Sequence, residues 1–299
     1  MADHTSRQQW LPLPQSLQCY GCGGHGFITE HGSDANVLFR CAACAIILKL
    51  DHSVLDAVPQ SLAAGTRQNQ EYYNSISTEA ENPLVVRSAS RNHRRKTSML
   101  SVALKLTDSE TPLRVLEIGT GTGTHAHTVR QLGHYYAGLD LSSGLLHAAR
   151  ARYDLLEQCL FIAADATNIP LRTALFERVF CVASLHHLID PQRGVAEMLR
   201  MLEPGGRFCI LEPKRFYPTH FANFLLHRDT EVSVLQMKIS RVRKWLMEAG
   251  ATSVETSYCV YTPNKPAVLV PLYDAIDRFC ERHRALNPLS VMFCLHGIK

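Results

Sequence analysis

A short apolar stretch at 113–118 runs straight into the glycines of GTGTG (119–123) and then into a helical pattern, and this junction constrains the fold more than any other feature. Glycines there leave the backbone N–H groups at a helix start open to a ligand, with no side chains in the way. The residues that follow keep the same rhythm. Stretches at 134–139, 159–163, 178–184 and 207–211 read as further strands, the second and third ending at Asp140 and Asp165. Helices are expected at 124–132, after Ser142 as N-cap with Leu145, Leu146, Ala149, Tyr153 and Leu156 on one face, and at 191–202 before Pro204-Gly205-Gly206. Residues 213–237 break the pattern as an insertion. A helix with Ile239, Val242, Trp245, Leu246 and Ala249, strands at 252–261 and 289–297, and a helix near 268–285 complete it. Short apolar strands alternating with amphipathic helices imply an α/β fold, a parallel sheet with helices on both faces. Ligands bind such sheets at the carboxyl ends of the strands.

The N-terminal region carries a different signal. Cys19-x2-Cys22 and Cys41-x2-Cys44 are separated by eighteen residues, the spacing of a zinc ribbon in which a hairpin brings two thiolate pairs round one ion. Four protein ligands leave no coordination position for substrate, so the zinc ion expected at Cys19, Cys22, Cys41 and Cys44 is structural. Cys159, Cys181, Cys209 and Cys294 lie inside apolar runs and read as reduced core residues. With no apolar signal core at the start and no run of about 18 apolar residues, the expected location is cytoplasmic, without a membrane partner. Three segments are expected: a lead and ribbon over 1–50, a polar linker and helical cover over 51–106, and an α/β domain over 107–299. Residues 1–18 read as a flexible lead.

Six runs in order carry a family resemblance: VLEIGTGTG (115–123), GLDLS (138–142), AADATNIPL (163–171), VASLHHLID (182–190), LEPGGRF (202–208) and LEP (211–213). Over roughly 84–299 the chain resembles the class I S-adenosylmethionine-dependent methyltransferases, in particular the branch acting on small molecules. The resemblance implies a Rossmann-like sheet of seven strands, with residues 289–298 as the last, antiparallel and inserted between two others. It implies that Gly119, Thr120, Gly121 and Gly123 lie under the methionine part of S-adenosylmethionine. Asp140, with Leu141, would take the ribose hydroxyls, and Asp165 and Ala166 the adenine. Glu117 would orient the loop or reach the ammonium through water. Ser184 opens the stretch that would face the methyl group, and Tyr72 and Tyr73 resemble the aromatic pair that closes over the cofactor. Plainer roles remain open at this stage: a helix cap for Asp140, a loop residue for Asp165, a paired base for Glu117.

Methyl transfer is an in-line displacement, so such an enzyme chiefly aligns the nucleophile and removes its proton. The stretch SLHHL (184–188) holds neither an Asn/Asp-Pro-Pro-aromatic motif nor a Pro-Cys pair. His187, then His186, are candidate general bases, since imidazole titrates near neutral pH; Glu212 is a further candidate for touching the acceptor. Phe216, Tyr217, His220, Phe221 and Phe224 suit a lid over a flat or apolar acceptor, or burial against the sheet. The expected function is methyl transfer to an O or N of a small molecule. Arg87, Arg91, Arg94, Arg95 and Lys96 raise the alternative of an RNA methyltransferase that grips RNA with a basic helix and the ribbon. Within 17–50, however, only Arg40 and Lys49 are permanent cations. A cofactor-binding scaffold that docks a protein partner through the ribbon is a second alternative.

Overall fold

Strand β5 (Arg114–Ile118) lies in the middle of one continuous sheet because its side chains alternate between two apolar layers. Leu116 and Ile118 face one layer with Leu139, Ile162 and Val179, while Val115 faces the other with Tyr136, Phe161 and Phe180. The structure is a computed structural model that describes residues 10–32, 36–51, 53–77, 91–152, 158–214, 237–263 and 267–299. Strands β6 (Tyr135–Asp140) and β7 (Cys159–Ala163) run parallel on one side of β5. On the other side follow β8 (Phe176–Val182) and β9 (Leu202–Pro213), also parallel. Strand β11 (Met292–Ile298) is antiparallel to both β9 and the edge strand β10 (Ser253–Cys259), between which it lies. The order β7-β6-β5-β8-β9-β11-β10 is the seven-stranded arrangement expected.

The sheet does not stop there. Strands β1 (Phe27–His31), β2 (Val37–Cys41), β3 (Ile47–Asp51) and β4 (Val54–Asp56) form an antiparallel meander. Through β4 it pairs in parallel with β7, Leu55 opposite Ile162, making eleven strands among the described residues. The expected polar linker after residue 50 therefore contains a strand of the central sheet, and then helix α1 (Ala64–Ser77). The expected flexible lead is also corrected over its described part. Leu11 and Leu17 are fully buried in the main core, Trp10 stacks on Tyr135 at 5.2 Å, and Leu17 bridges Leu171.

Helices α2 (Arg91–Ala103), α3 (Ala126–Gln131), α4 (Ser143–Arg152), α5 (Pro191–Met201), α6 (Ile239–Glu248) and α7 (Val270–Arg282) cover the sheet. Ser142 caps α4 as expected, its Oγ accepting from the Leu145 N–H at 3.2 Å. Asp190 caps α5 in the same way through the Arg193 N–H at 2.9 Å. The helix before Pro204-Gly205-Gly206 ends at Met201 as expected, but the strand starts earlier than 207: β9 begins at Leu202, and pairing with β8 shifts register between Phe176 and Arg178, so the glycines accommodate a bulge. Cys159, Cys181, Cys209 and Cys294 are buried free thiols. Tyr153, Leu156, Arg87, and Phe216, Tyr217, His220, Phe221 and Phe224 of the insertion lie outside the described residues.

Candidate active site and metal centre

The glycine loop is held by the strand ends on either side of it. Gly119 and Thr120 donate their N–H groups to the Leu139 carbonyl at 2.7 and 3.0 Å. Gly119, Gly121 and Gly123 all have positive φ, a conformation that costs a side-chain-bearing residue about 1 to 2 kcal/mol. At Gly119 the space is closed as well, since an added Cβ would lie 2.2 Å from the Ser184 Cβ. At Gly121 an added Cβ would meet nothing within 4 Å, so the loop is open there. Gly119→Ala is therefore expected to destabilise the protein by about 2 to 5 kcal/mol, combining backbone strain with overpacking. Gly121→Ala incurs only the first. Thermal unfolding of the two variants checks the contrast.

Asp140 stands at the carboxyl end of β6, beside the open side of the loop. Its Oδ2 accepts the Gly121 N–H at 2.8 Å and its Oδ1 the Ser142 N–H at 3.0 Å, which fixes the carboxylate in one orientation. Burial pushes its carboxyl above the usual aspartate range, against the lowering effect of those backbone donors. Each oxygen keeps a lone pair for a further donor. Leu141 follows, its carbonyl accepting from the Gln70 side chain at 3.2 Å. Asp165 lies two residues past the end of β7; its Oδ1 accepts both the N–H and the Oγ1–H of Thr167 at 2.8 Å, and Ala166 beside it is buried.

Glu117 is 1% exposed and both its oxygens are engaged. Oε1 meets His125 Nδ1 at 2.8 Å, and Oε2 accepts from Thr120 Oγ1 at 3.1 Å and from the Tyr136 hydroxyl. This carboxylate pins the glycine loop to β6 and α3 from beneath. Sequence reasoning missed Tyr136 and His125, because their partnership joins residues on separate elements.

At the carboxyl end of β8, Ser184 donates its Oγ–H to the Ile118 carbonyl at 2.9 Å, tying β8 to β5. Glu212, fully buried near the end of β9, accepts the N–H groups of Ser184 and Leu185 at 3.0 and 2.8 Å on Oε1. Its Oε2 lies 2.6 Å from His186 Nδ1. Glu212 is thus directed at the turn that carries the histidines. His187 is half-buried, its ring 4.0 Å from that of His186 and 5.7 Å from that of Tyr73. Burial and the neighbouring His186 hold its pKa down to about 3.

Helix α1 closes over this lip. Asn69 donates to the His187 carbonyl at 2.9 Å, Gln70 reaches Leu141, and the Asn74 Oδ1 accepts from Ser142 Oγ at 2.6 Å. Tyr73 lies against Tyr72 at 5.2 Å on the same helix. The signal was available: Asn69 and Tyr73, like Gln70 and Asn74, are four apart and share a helix face.

The four ribbon cysteines converge. Cys19 Sγ lies 3.4 Å from Cys44 Sγ and Cys22 Sγ 3.6 Å from Cys41 Sγ, with all four sulfurs within 4.8 Å of one another. A tetrahedron with metal–sulfur bonds of about 2.3 Å has sulfurs about 3.8 Å apart, so the set fits one ion. Backbone N–H groups of Cys44 and Ala43 bring Cys41 down to about 7, whereas burial pushes Cys19 up to about 12, so the sulfur geometry carries the metal reading. The basic helix has a different use. Arg91 pairs with Asp274 at 2.6 Å and with buried Asp277 at 2.7 Å, and Arg95 pairs with Asp277 and Glu281. These cations bind α2 to α7.

A family model described as a methyltransferase domain matches residues 116–210. The chain is 34% identical over 99 residues to a demethylmenaquinone methyltransferase of Clavibacter sepedonicus, 33% of this chain and 40% of that protein. It is 30% identical over 156 residues to the chloroplastic 2-methyl-6-phytyl-1,4-hydroquinone methyltransferase of Arabidopsis thaliana, 51% of this chain and 44% of that protein. It thus spans less than half the length of these curated relatives. Among solved structures, Haemonchus contortus phosphoethanolamine N-methyltransferase 2 in complex with S-adenosyl-L-methionine shares the fold with a TM-score of 0.58 and 15% identity, covering 85% of this chain and 63% of that one. A chain from the Haloferax volcanii complex of the Trm112 methyltransferase activator and a methyltransferase does so with a TM-score of 0.55 and 19% identity, covering 76% and 96%. The match over 116–210 places a methyltransferase domain there, and the strand order with the glycine loop beside Asp140 is that of the Rossmann-like class I methyltransferase fold.

Proposed function

We propose that this protein transfers a methyl group from S-adenosylmethionine to a hydroxylated aromatic ring of the hydroquinone type, and that its four ribbon cysteines hold one structural zinc ion. The observation that carries the reading is Asp140, locked by the Gly121 and Ser142 N–H groups beside the open glycine loop. The relatives that act on demethylmenaquinone and on a phytyl hydroquinone supply the acceptor class.

S-adenosylmethionine, when bound, supplies a methyl carbon activated by a sulfonium charge. Asp140 would accept from its ribose hydroxyls with the lone pairs left on both carboxylate oxygens. Asp165 has Oδ2 for the adenine amino group, since both Thr167 donors use Oδ1. Gly119 and Gly121 admit the chain at the loop where a side chain would collide or strain. Helix α1, whose Asn69, Gln70 and Tyr73 touch the lip, would shield the bound cofactor from water.

Loss of a phenolic proton makes such a ring nucleophilic at oxygen and at the adjoining carbons. We assign His187 as the acceptor of that proton, with Glu212 orienting the histidine turn through His186 and two backbone N–H groups; burial makes His187 a weak base, so the phenolate charge formed beside it must stabilise the imidazolium. With its pKa near 3, His187 is unprotonated throughout the neutral range. The acid limb of kcat/KM is therefore expected well below 6.5, the ordinary imidazole value. His187→Ala should lower kcat by about 100-fold or more; near-normal turnover at neutral pH in that variant rules out the base role. The whole reading is tested with methyl-labelled S-adenosylmethionine and a short-tailed, water-soluble hydroquinone. Labelled product supports it. Binding of the cofactor without labelling of any hydroquinone removes the acceptor class, and the absence of cofactor binding removes the enzyme.

A further inference from the structure

We infer that helix α7 docks the protein on an anionic lipid surface, its outward apolar stripe entering the interface; the inference rests on the proposed hydroquinone-type acceptor, taken in the phytyl-bearing form that one relative's name gives. The helix is amphipathic in the reverse of the usual sense for a surface helix. Its inward face carries charge: Asp277 is fully buried, pairs with Arg91 and Arg95, and accepts from the Tyr261 N–H at 3.2 Å and Thr262 Oγ1 at 2.9 Å. Asp274 pairs with Arg91 on the same side. Its outward face is apolar. Leu272, Ile276 and Phe279, spaced at i, i+4 and i+7, are 55%, 37% and 56% exposed, and Val268 and Leu269 extend the stripe past the N-terminal end. The core thus takes the charges and water meets the hydrophobes, an arrangement that leaves apolar area to be buried by something outside the fold.

Charge and position identify what covers it. Arg278, Arg282 and Arg284 are exposed along and just beyond the helix. The carboxylates of Asp274, Asp277 and Glu281 are each paired with an α2 arginine, so the outer flank is cationic. Apolar residues flanked by arginines are the pattern of a helix lying in the headgroup region of an anionic bilayer. The helix also sits at the working end of the sheet. Tyr261 and Thr262, which hold Asp277, follow the carboxyl end of β10, and the Lys214 ammonium just past β9 donates to the carbonyls of Asn287 and Pro288 at 3.0 and 2.8 Å. A bilayer against this face would lie beside the lip where Glu212 and the histidine turn stand, within reach of an acceptor whose tail stays in lipid. The expectation of no membrane partner came from the lack of a spanning run; an interfacial helix needs none.

Flotation with vesicles of equal phosphatidylglycerol and phosphatidylcholine, against phosphatidylcholine alone, tests this on the full chain. The wild-type protein is expected to float with the anionic vesicles at low salt. The triple variant Leu272→Glu, Ile276→Glu, Phe279→Glu should lose at least tenfold in partitioning, and Arg278→Glu with Arg282→Glu should weaken it and remove its salt dependence. Unchanged unfolding temperature and cofactor binding in the variants show that they fold. No flotation of the wild type, or unchanged flotation of the triple variant, overturns the inference. So does a wild-type dimer that the triple variant splits into monomers, because a second copy then covers the stripe. Labelling of the short-tailed hydroquinone is read in parallel: product without flotation sinks the docking alone, and flotation without product sinks the acceptor class alone.

Discussion

Asp140→Ala is expected to weaken S-adenosylmethionine binding by about 100-fold or more, to the limit of calorimetric detection. Two hydrogen bonds from ribose hydroxyls to a carboxylate are worth roughly 1.5 to 3 kcal/mol each, and both are lost together. The substitution also strips partners from the N–H groups of Gly121 and Ser142, which position the loop and the start of α4. Asp140→Asn keeps one acceptor oxygen and should fall between the two. The unfolding temperature should drop little by comparison, since this carboxylate lies at a strand end outside both apolar layers. Affinity within threefold of wild type in Asp140→Ala would show that the sugar is not held at β6.

Chelation of the metal, or Cys41→Ser, is expected to lower the unfolding temperature by roughly 10 °C. Structural zinc contributes on the order of 10 kcal/mol in small domains that have little else. Here part of that support comes from the sheet, so a loss of several kcal/mol is expected, at about 2 °C or more for each in a chain of this size. The damage should not stop at the ribbon. Strand β3 pairs with β4, and β4 with β7, so an unravelled meander exposes the edge of the central sheet. Metal analysis of the purified protein should return one zinc per chain. A metal-free protein with an unchanged unfolding temperature would show that the cysteines hold nothing structural.

The use of the cations on α2 bears on the RNA alternative. A phosphate-gripping helix presents its arginines to solvent, whereas Arg91 is buried and, like Arg95, faces the carboxylates of α7. Removing one member of so buried a cluster leaves the rest uncompensated, which is why these residues belong to stability. The run reads as basic in the sequence because Asp274, Asp277 and Glu281 lie far along the chain.

Local chemistry made much of this protein legible from its residues alone. Short apolar runs between amphipathic helical patterns set the strands and helices of the α/β domain, and glycine at 119, 121 and 123 marks a loop whose backbone turns left-handed three times. Paired CxxC spacings bring sulfurs together because ribbon geometry is a short-range property. Long-range partnerships were decided by the folded chain. The ribbon's entry into the central sheet, the burial of Leu11 and Leu17, the hold of Tyr136 and His125 on Glu117, and the turning of Glu212 toward the histidine turn each join residues that the sequence keeps well apart. Periodicity reports which face of an element is apolar. Only packing determines which other element, or which outside surface, that face will meet.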